Sequence, residues 1–194
     1  MNREFLPITL LKEFVWCPRI AYLKYYTLPE PATESMLFPH YSRVELLSIL
    51  RNASIEGDIV MELPVESKSL RLSGRIDAVA IAPSEATPIE IKLYTSRRSI
   101  YSKSRHHLVQ IAAYSIALEE TLRKPVYKAV VVSLTNRRVF TIAITPRLRE
   151  NVRRLAIELH KYIENEILPP PTPTKTRCTP CFYRKICGTT PIHT

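Results

Sequence analysis

Two carboxylates and an amine stand close together in the middle of this 194-residue chain. Asp77 closes the stretch Gly74-Arg-Ile-Asp77, and Glu90 and Lys92 lie in Pro88-Ile-Glu90-Ile-Lys92. Carboxylate oxygens suit a hard divalent cation such as Mg2+ or Mn2+, and an amine beside them can act on a water next to a phosphate. The residues around them alternate. Leu70, Leu72, Ile76 and Ala78 interleave with Arg71, Ser73, Arg75 and Asp77; Ala82–Thr87 breaks the pattern; Ile89, Ile91 and Leu93 then resume it opposite Glu90, Lys92 and Tyr94. A period of two predicts strands over 70–81 and 88–94. Side chains two apart share a strand face, so Glu90 and Lys92 point the same way, about 7 Å apart at Cα. Pairing of these strands as neighbours brings Asp77 beside Glu90. The same alternation also describes the wet face of an ordinary antiparallel sheet, so the three residues need support from elsewhere.

Support comes from three places. Helical periodicity over 106–120 sets Gln110 and Tyr114 at i and i+4, one above the other on a single face. His40 precedes a helix-patterned segment, 44–50. The cysteines are Cys17 near the start and Cys178, Cys181 and Cys187 near the end. Four thiolates can hold a structural Zn2+, a [2Fe–2S] or a [4Fe–4S] cluster. Zinc sites commonly pair two Cys-x-x-Cys knuckles, whereas here one ligand stands apart from three.

Taken in order, His40, Asp77, Glu90-x-Lys92 and Gln110-x-x-x-Tyr114 resemble the PD-(D/E)xK nuclease core in its RecB-type branch. With the four cysteines, the chain is similar to the CRISPR-associated Cas-four exonucleases from Trp16-Cys17-Pro18-Arg19 to Cys187. His40 lies in Phe-Pro-His-Tyr rather than within an evident helical signature. The resemblance implies an α/β fold: a restriction-endonuclease-like core with a central mixed sheet flanked by helices, plus a small cysteine-ligated iron–sulfur subdomain joining the N- and C-terminal segments. Residues 1–30 would supply Cys17, residues 31–167 the nuclease core, and residues 168–194 a proline strut and the cysteine segment. His40, Asp77, Glu90 and the Ile91 backbone carbonyl would hold Mg2+ or Mn2+. Asp77, Glu90, Lys92, Gln110 and Tyr114 would form the catalytic set, and Cys17, Cys178, Cys181 and Cys187 would bind the iron–sulfur cluster. The implied activity is a metal-dependent deoxyribonuclease, a 5′-to-3′ exonuclease on single-stranded DNA or single-stranded ends. It would trim pre-spacer ends for a CRISPR integrase complex. Two alternatives stay open on the residues: a stand-alone RecB-like repair nuclease, and a metal-stapled nucleic-acid-binding module without catalysis.

The remaining elements must position these groups. The chain carries 28 Lys and Arg against 18 Asp and Glu, a formal charge of +10, which favours a polyanionic partner. Arg97, Arg98, Lys103 and Arg105 fall in a basic loop expected to grip the substrate backbone without reading sequence; His106 and His107 read as surface. Residues 8–26 predict a helix broken near Pro18, with Trp16 and Tyr22 as core. Residues 58–66 offer the first strand, and 126–134 and 138–144 a hairpin. A helix after Pro146 carries Leu148, Val152, Leu155, Leu159, Tyr162 and Ile163 on one stripe. Pro169–Pro171 then form a stiff extended strut. Hydrophobic content of 45% is enough for a core. The opening Met-Asn-Arg-Glu lacks the build of a signal peptide, and no apolar run reaches membrane-spanning length, which reads as a cytoplasmic chain without a membrane partner.

Overall fold

The computed structural model describes residues 4–27, 43–53, 55–172 and 174–188. Its sheet is built around one long strand. β1 is Leu6–Pro7, β2 Asp58–Ser67, β3 Leu72–Ile81, β4 Ala86–Lys92, β5 Lys128–Ser133 and β6 Arg138–Ala143. β2 pairs antiparallel along one edge of β3. The other edge of β3 is shared: β1 pairs parallel at Leu72–Ser73, and β4 pairs antiparallel at Ala78–Ile81. The sheet continues through β5, parallel to β4, and ends in the β5–β6 hairpin. The mixed sheet is the expected one, and the two-residue β1 precedes the strand that the sequence puts first.

The helices are α1 Ile8–Trp16, α2 Pro18–Tyr26, α3 Arg43–Asn52, α4 Arg97–Tyr101, α5 Arg105–Leu122, α6 Pro146–Glu164, α7 Lys175–Cys178 and α8 Arg184–Cys187. The break expected in the first helix falls at Cys17, whose backbone is extended (φ −160°), with Pro18 opening α2 where a missing N–H costs nothing. Two cores sandwich the sheet. On one face α1, α5 and α6 bury Leu11, Phe14, Ile111, Leu118, Val152 and Leu159 against Leu72, Val79, Ala129 and Val131. On the other, Leu46 and Leu50 of α3 pack on Ala78, Ala80, Ile89, Val130 and Val132. Burial of such side chains contributes about 1.5–3 kcal/mol each. β4 and β5 are buried on both faces along most of their length because helices cover both. No described helix is long and apolar enough to cross a membrane.

Candidate active site and cysteine cavity

The site forms where β3 changes face. Leu72 and Ile76 pack with the α5-side core, Ala78 and Ala80 with the α3 side, and Val79 again with α5. The simple alternation of Leu70, Leu72, Ile76 and Ala78 expected from the sequence is therefore interrupted, at Asp77. β2 marks the same place. Met61 pairs with Ala78 and Leu63 with Ile76, while Glu62 between them has φ +51°, a left-handed conformation costing a non-glycine residue about 1–3 kcal/mol. Strict alternation from Ile76 would turn Asp77 away from α5. The switch puts it on the face of Val79, where Glu90 also stands.

β3 and β4 pair from Ile81–Ala86 to Ala78–Ile89, and the same register sets Asp77 across from Glu90. There the strands part, and the Ile91 N–H donates to Asp77 Oδ2 at 2.8 Å, a side chain standing in for a ladder partner. Glu90 is 5% exposed, and Lys92 Nζ lies 2.6 Å from its Oε1. Burial, and then the Glu90 charge, push Asp77 up to about 6, opposed by the Ile91 N–H and by Lys92. Two facing carboxylates served by one ammonium group resist full ionisation until further positive charge joins them. That donor set fits a hard divalent cation. Among the described residues no three of His, Cys, Asp and Glu are gathered tightly enough to hold one ion. His40, the further ligand expected from the sequence, lies outside the described residues.

α5 brings Gln110 and Tyr114 over this face, both buried. The Tyr114 ring lies against Gly74, where an added Cβ would come within 2.8 Å of Tyr114 Cε1; the glycine is needed for space. Burial foremost, and then Glu90, push the Tyr114 hydroxyl up to about 12, against hydrogen bonds from Gln110 and the Arg75 backbone. The expected surface placement of His106 and His107 is corrected, because both are half-buried. His107 Nδ1 donates to Gln110 Oε1 at 3.4 Å. Burial first, then Lys92 and His106, hold His107 down to about 3; burial and Lys12 hold His106 down to about 4. The sequence signal for His107 was its i, i+3 spacing to Gln110. Trp16, expected in the core, is half-buried and stands between His106, ring centroids 4.8 Å apart, and Arg177, whose guanidinium lies 4.5 Å over its ring.

Arg97, Arg98, Lys103 and Arg105 are all exposed beyond the end of β4. Lys103 lies in the expected connection, a turn at 102–104, but the three arginines are helical rather than on a loop. Ser96 accepts from the Ser99 N–H at 3.2 Å, and the Ser102 hydroxyl donates to Arg98 O at 2.7 Å, closing the short helix α4, and Arg105 opens α5.

Cys17, Cys178, Cys181 and Cys187 line one cavity, with Ile20 and Tyr183 among its walls, and none is in a disulfide. The residues that follow α6 run back beside α2. Arg19 donates to Pro169 O at 3.0 Å and to Cys187 O at 2.9 Å, Arg177 donates to Trp16 O at 2.7 Å, and the Thr172 N–H reaches Cys17 Sγ at 3.4 Å. Burial, and then the three other thiols, raise Cys181 above its ordinary value. The four thiols share one cavity, the donor type that soft metal groups take, but no three of them are gathered tightly enough to hold one ion as the side chains stand.

A model of the PD-(D/E)XK nuclease superfamily matches residues 32–188. The chain is 35% identical over 191 residues to the CRISPR-associated exonuclease Cas4 of Aeropyrum pernix, covering 93% of this chain and 94% of that protein. It is 25% identical to the CRISPR-associated exonuclease Cas4 of Thermoproteus tenax, covering 94% and 93%. Among solved structures, a putative exonuclease from Eubacterium rectale superposes with a TM-score of 0.59 at 9% identity over 100% of this chain and 91% of that one, a likeness of fold alone. Together with the Asp77, Glu90 and Lys92 constellation, these matches show that the chain belongs to the Cas4 family of CRISPR-associated exonucleases, nucleases of the PD-(D/E)XK superfamily.

Proposed function

We propose that the chain is a metal-dependent DNA exonuclease that works 5′ to 3′ on single-stranded DNA or single-stranded ends and trims pre-spacer ends during CRISPR adaptation, next to the integrase. The observation that carries the nuclease chemistry is the buried Glu90 carboxylate, set across from Asp77 and 2.6 Å from Lys92 Nζ. Asp77 and Glu90, with the Ile91 carbonyl and His40, would hold Mg2+ or Mn2+, which supplies Lewis-acid polarisation of the phosphate and a more acidic water. Lys92 orients the attacking water and steadies charge building on the phosphate. Gln110 fixes the Tyr114 hydroxyl beside the carboxylates, and Tyr114, protonated at neutral pH, donates a hydrogen bond there. Arg97, Arg98, Lys103 and Arg105 bind backbone phosphates.

Cys17, Cys178, Cys181 and Cys187 would hold an iron–sulfur cluster, [4Fe–4S] or [2Fe–2S], with a structural role. On this reading residues 1–30 and 168–194 form one subdomain clipped across the nuclease core at 31–167. The Arg19 and Arg177 bonds that already join the two ends support it. The deciding experiment follows end-labelled single-stranded DNA with Mn2+, with and without chelator, for wild type and for Asp77→Ala, Glu90→Ala and Lys92→Ala. Stepwise shortening from the 5′ end in the wild type alone, with DNA still bound by all three variants, is the expected result. Cleavage that survives in all three refutes the site.

A further inference from the structure

Trp16 and Phe182 take no part in the chemistry above, yet they are built into one surface. Beside Cys181, Trp16, Arg177 and Phe182 line a cleft of about 200 Å3, with Glu13 on its wall. Phe182 is 48% exposed, and its ring is braced edge-on by that of Tyr183 at 5.1 Å and 86°. Tyr183 is itself 2% exposed. The Arg177 guanidinium lies over the Trp16 ring and also donates to Trp16 O. An exposed aromatic ring held still beside a guanidinium–indole stack offers flat π surface, the chemistry that holds nucleobases without reading their identity. Glu13, kept in place by Lys12 at 3.3 Å and Lys24 at 3.4 Å, adds a hydrogen-bond acceptor for base-edge donors.

A run of side-chain contacts links the cleft to the nuclease site. From Gln110 the planar groups run through His107 at 3.4 Å, His106 with ring centroids 4.2 Å from those of His107, and Trp16 with ring centroids 4.8 Å from those of His106. Phosphates have their own partners in the exposed Arg97, Arg98, Lys103 and Arg105. We propose that the Trp16–Arg177–Phe182 cleft is a nucleobase subsite that takes an unstacked base of the same single strand whose phosphate sits at Asp77, Glu90 and Lys92. The inference rests on reading that site as one acting on a DNA strand. The contact run to the site and the formal charge of +10 favour a nucleic acid strand over a protein segment as the occupant.

The test is a binding titration by fluorescence anisotropy on the full chain as purified, with Ca2+ in place of Mg2+ or Mn2+ to hold off cleavage. Its probes are single-stranded oligonucleotides that each lack one base at a successive position. In wild type and Phe182→Tyr, one narrow window of abasic positions should weaken binding about five- to hundredfold. In Phe182→Ala and Phe182→Leu, the intact oligonucleotide should bind as weakly as the abasic one, and the window should vanish. Phe182→Leu keeps apolar bulk without a π face, and circular dichroism confirms the fold of each variant. A flat scan in wild type, or a window that persists in full in both Phe182→Ala and Phe182→Leu, overturns the subsite while leaving the nuclease reading intact. Absence of binding to every oligonucleotide overturns both.

Discussion

Asp77 is the residue on which burial and charge disagree. The folded chain keeps its proton up to about pH 6, against 3.8 for the free side chain, because it is buried and faces Glu90. Between those values the native state binds more protons than the unfolded one, so the metal-free protein loses stability as pH rises from about 4 to about 6. Asp77→Asn keeps the acceptor for the Ile91 N–H and removes the repulsion. It should stabilise the metal-free protein at pH 7 by about 1–3 kcal/mol and flatten this pH dependence, as read by urea denaturation. A divalent ion must displace the same proton, so wild-type Mn2+ affinity should climb about tenfold per pH unit below 6 and level off above it. Gly74 makes a second residue-scale test. Its Cβ would collide with the Tyr114 ring, so Gly74→Ala should cost about 1–3 kcal/mol and lower kcat. Adding Tyr114→Leu should return most of the stability and none of the activity.

At the scale of elements, α5 carries Gln110 and Tyr114 and must be held over the sheet. Glu119 near its end accepts from Arg149 of α6 at 2.9 Å and from the Val126 N–H at 2.7 Å. Glu120 accepts from Ser67 at 2.8 Å and from the Ser69 N–H at 3.2 Å, at the β2–β3 turn. Glu119→Ala leaves the Val126 N–H and the Arg149 guanidinium without their carboxylate, and should cost about 2–4 kcal/mol in a urea titration. Periodicity made most of these elements legible. The strands around Asp77 and Glu90, the hairpin and the helices at 105–122 and 146–164 follow from runs of two and of 3.6. Three features were not legible. The face switch at Asp77 is a joint property of β2 and β3, where the ladder skips the left-handed Glu62 opposite it, and no local pattern in either strand encodes it. Residues 97–101 form a helix through serine caps at both ends, which a run of basic and polar residues hides. The half-burial of His106, His107 and Trp16 likewise depends on α1 meeting the start of α5, a contact between segments some ninety positions apart.

At the scale of the whole molecule, the two ends of the chain are tied across the nuclease core. Arg19 and Arg177 bond the Cys17 corner to the segment carrying Cys178, Cys181 and Cys187. A metal group bound by all four thiols would close a loop of most of the chain and raise stability chiefly by restricting the unfolded state. Cys17→Ala should therefore bleach the purified protein, release its iron and lower the thermal midpoint; a colourless, iron-free wild type would contradict the cluster. The basic surface gives a separate test. Replacing Arg97, Arg98, Lys103 and Arg105 with glutamine should weaken DNA binding and reduce the slope of log K against log salt by about 3, since each lost phosphate contact removes close to one released counterion. The most direct measurement of the proposed cleavage site is isothermal titration calorimetry with Mn2+ on wild type, Asp77→Ala, Glu90→Ala and Lys92→Ala. Saturable Mn2+ binding in wild type and Lys92→Ala, lost in both carboxylate variants, is the result that a shared ion between Asp77 and Glu90 requires. Undiminished binding in Asp77→Ala and Glu90→Ala would contradict it.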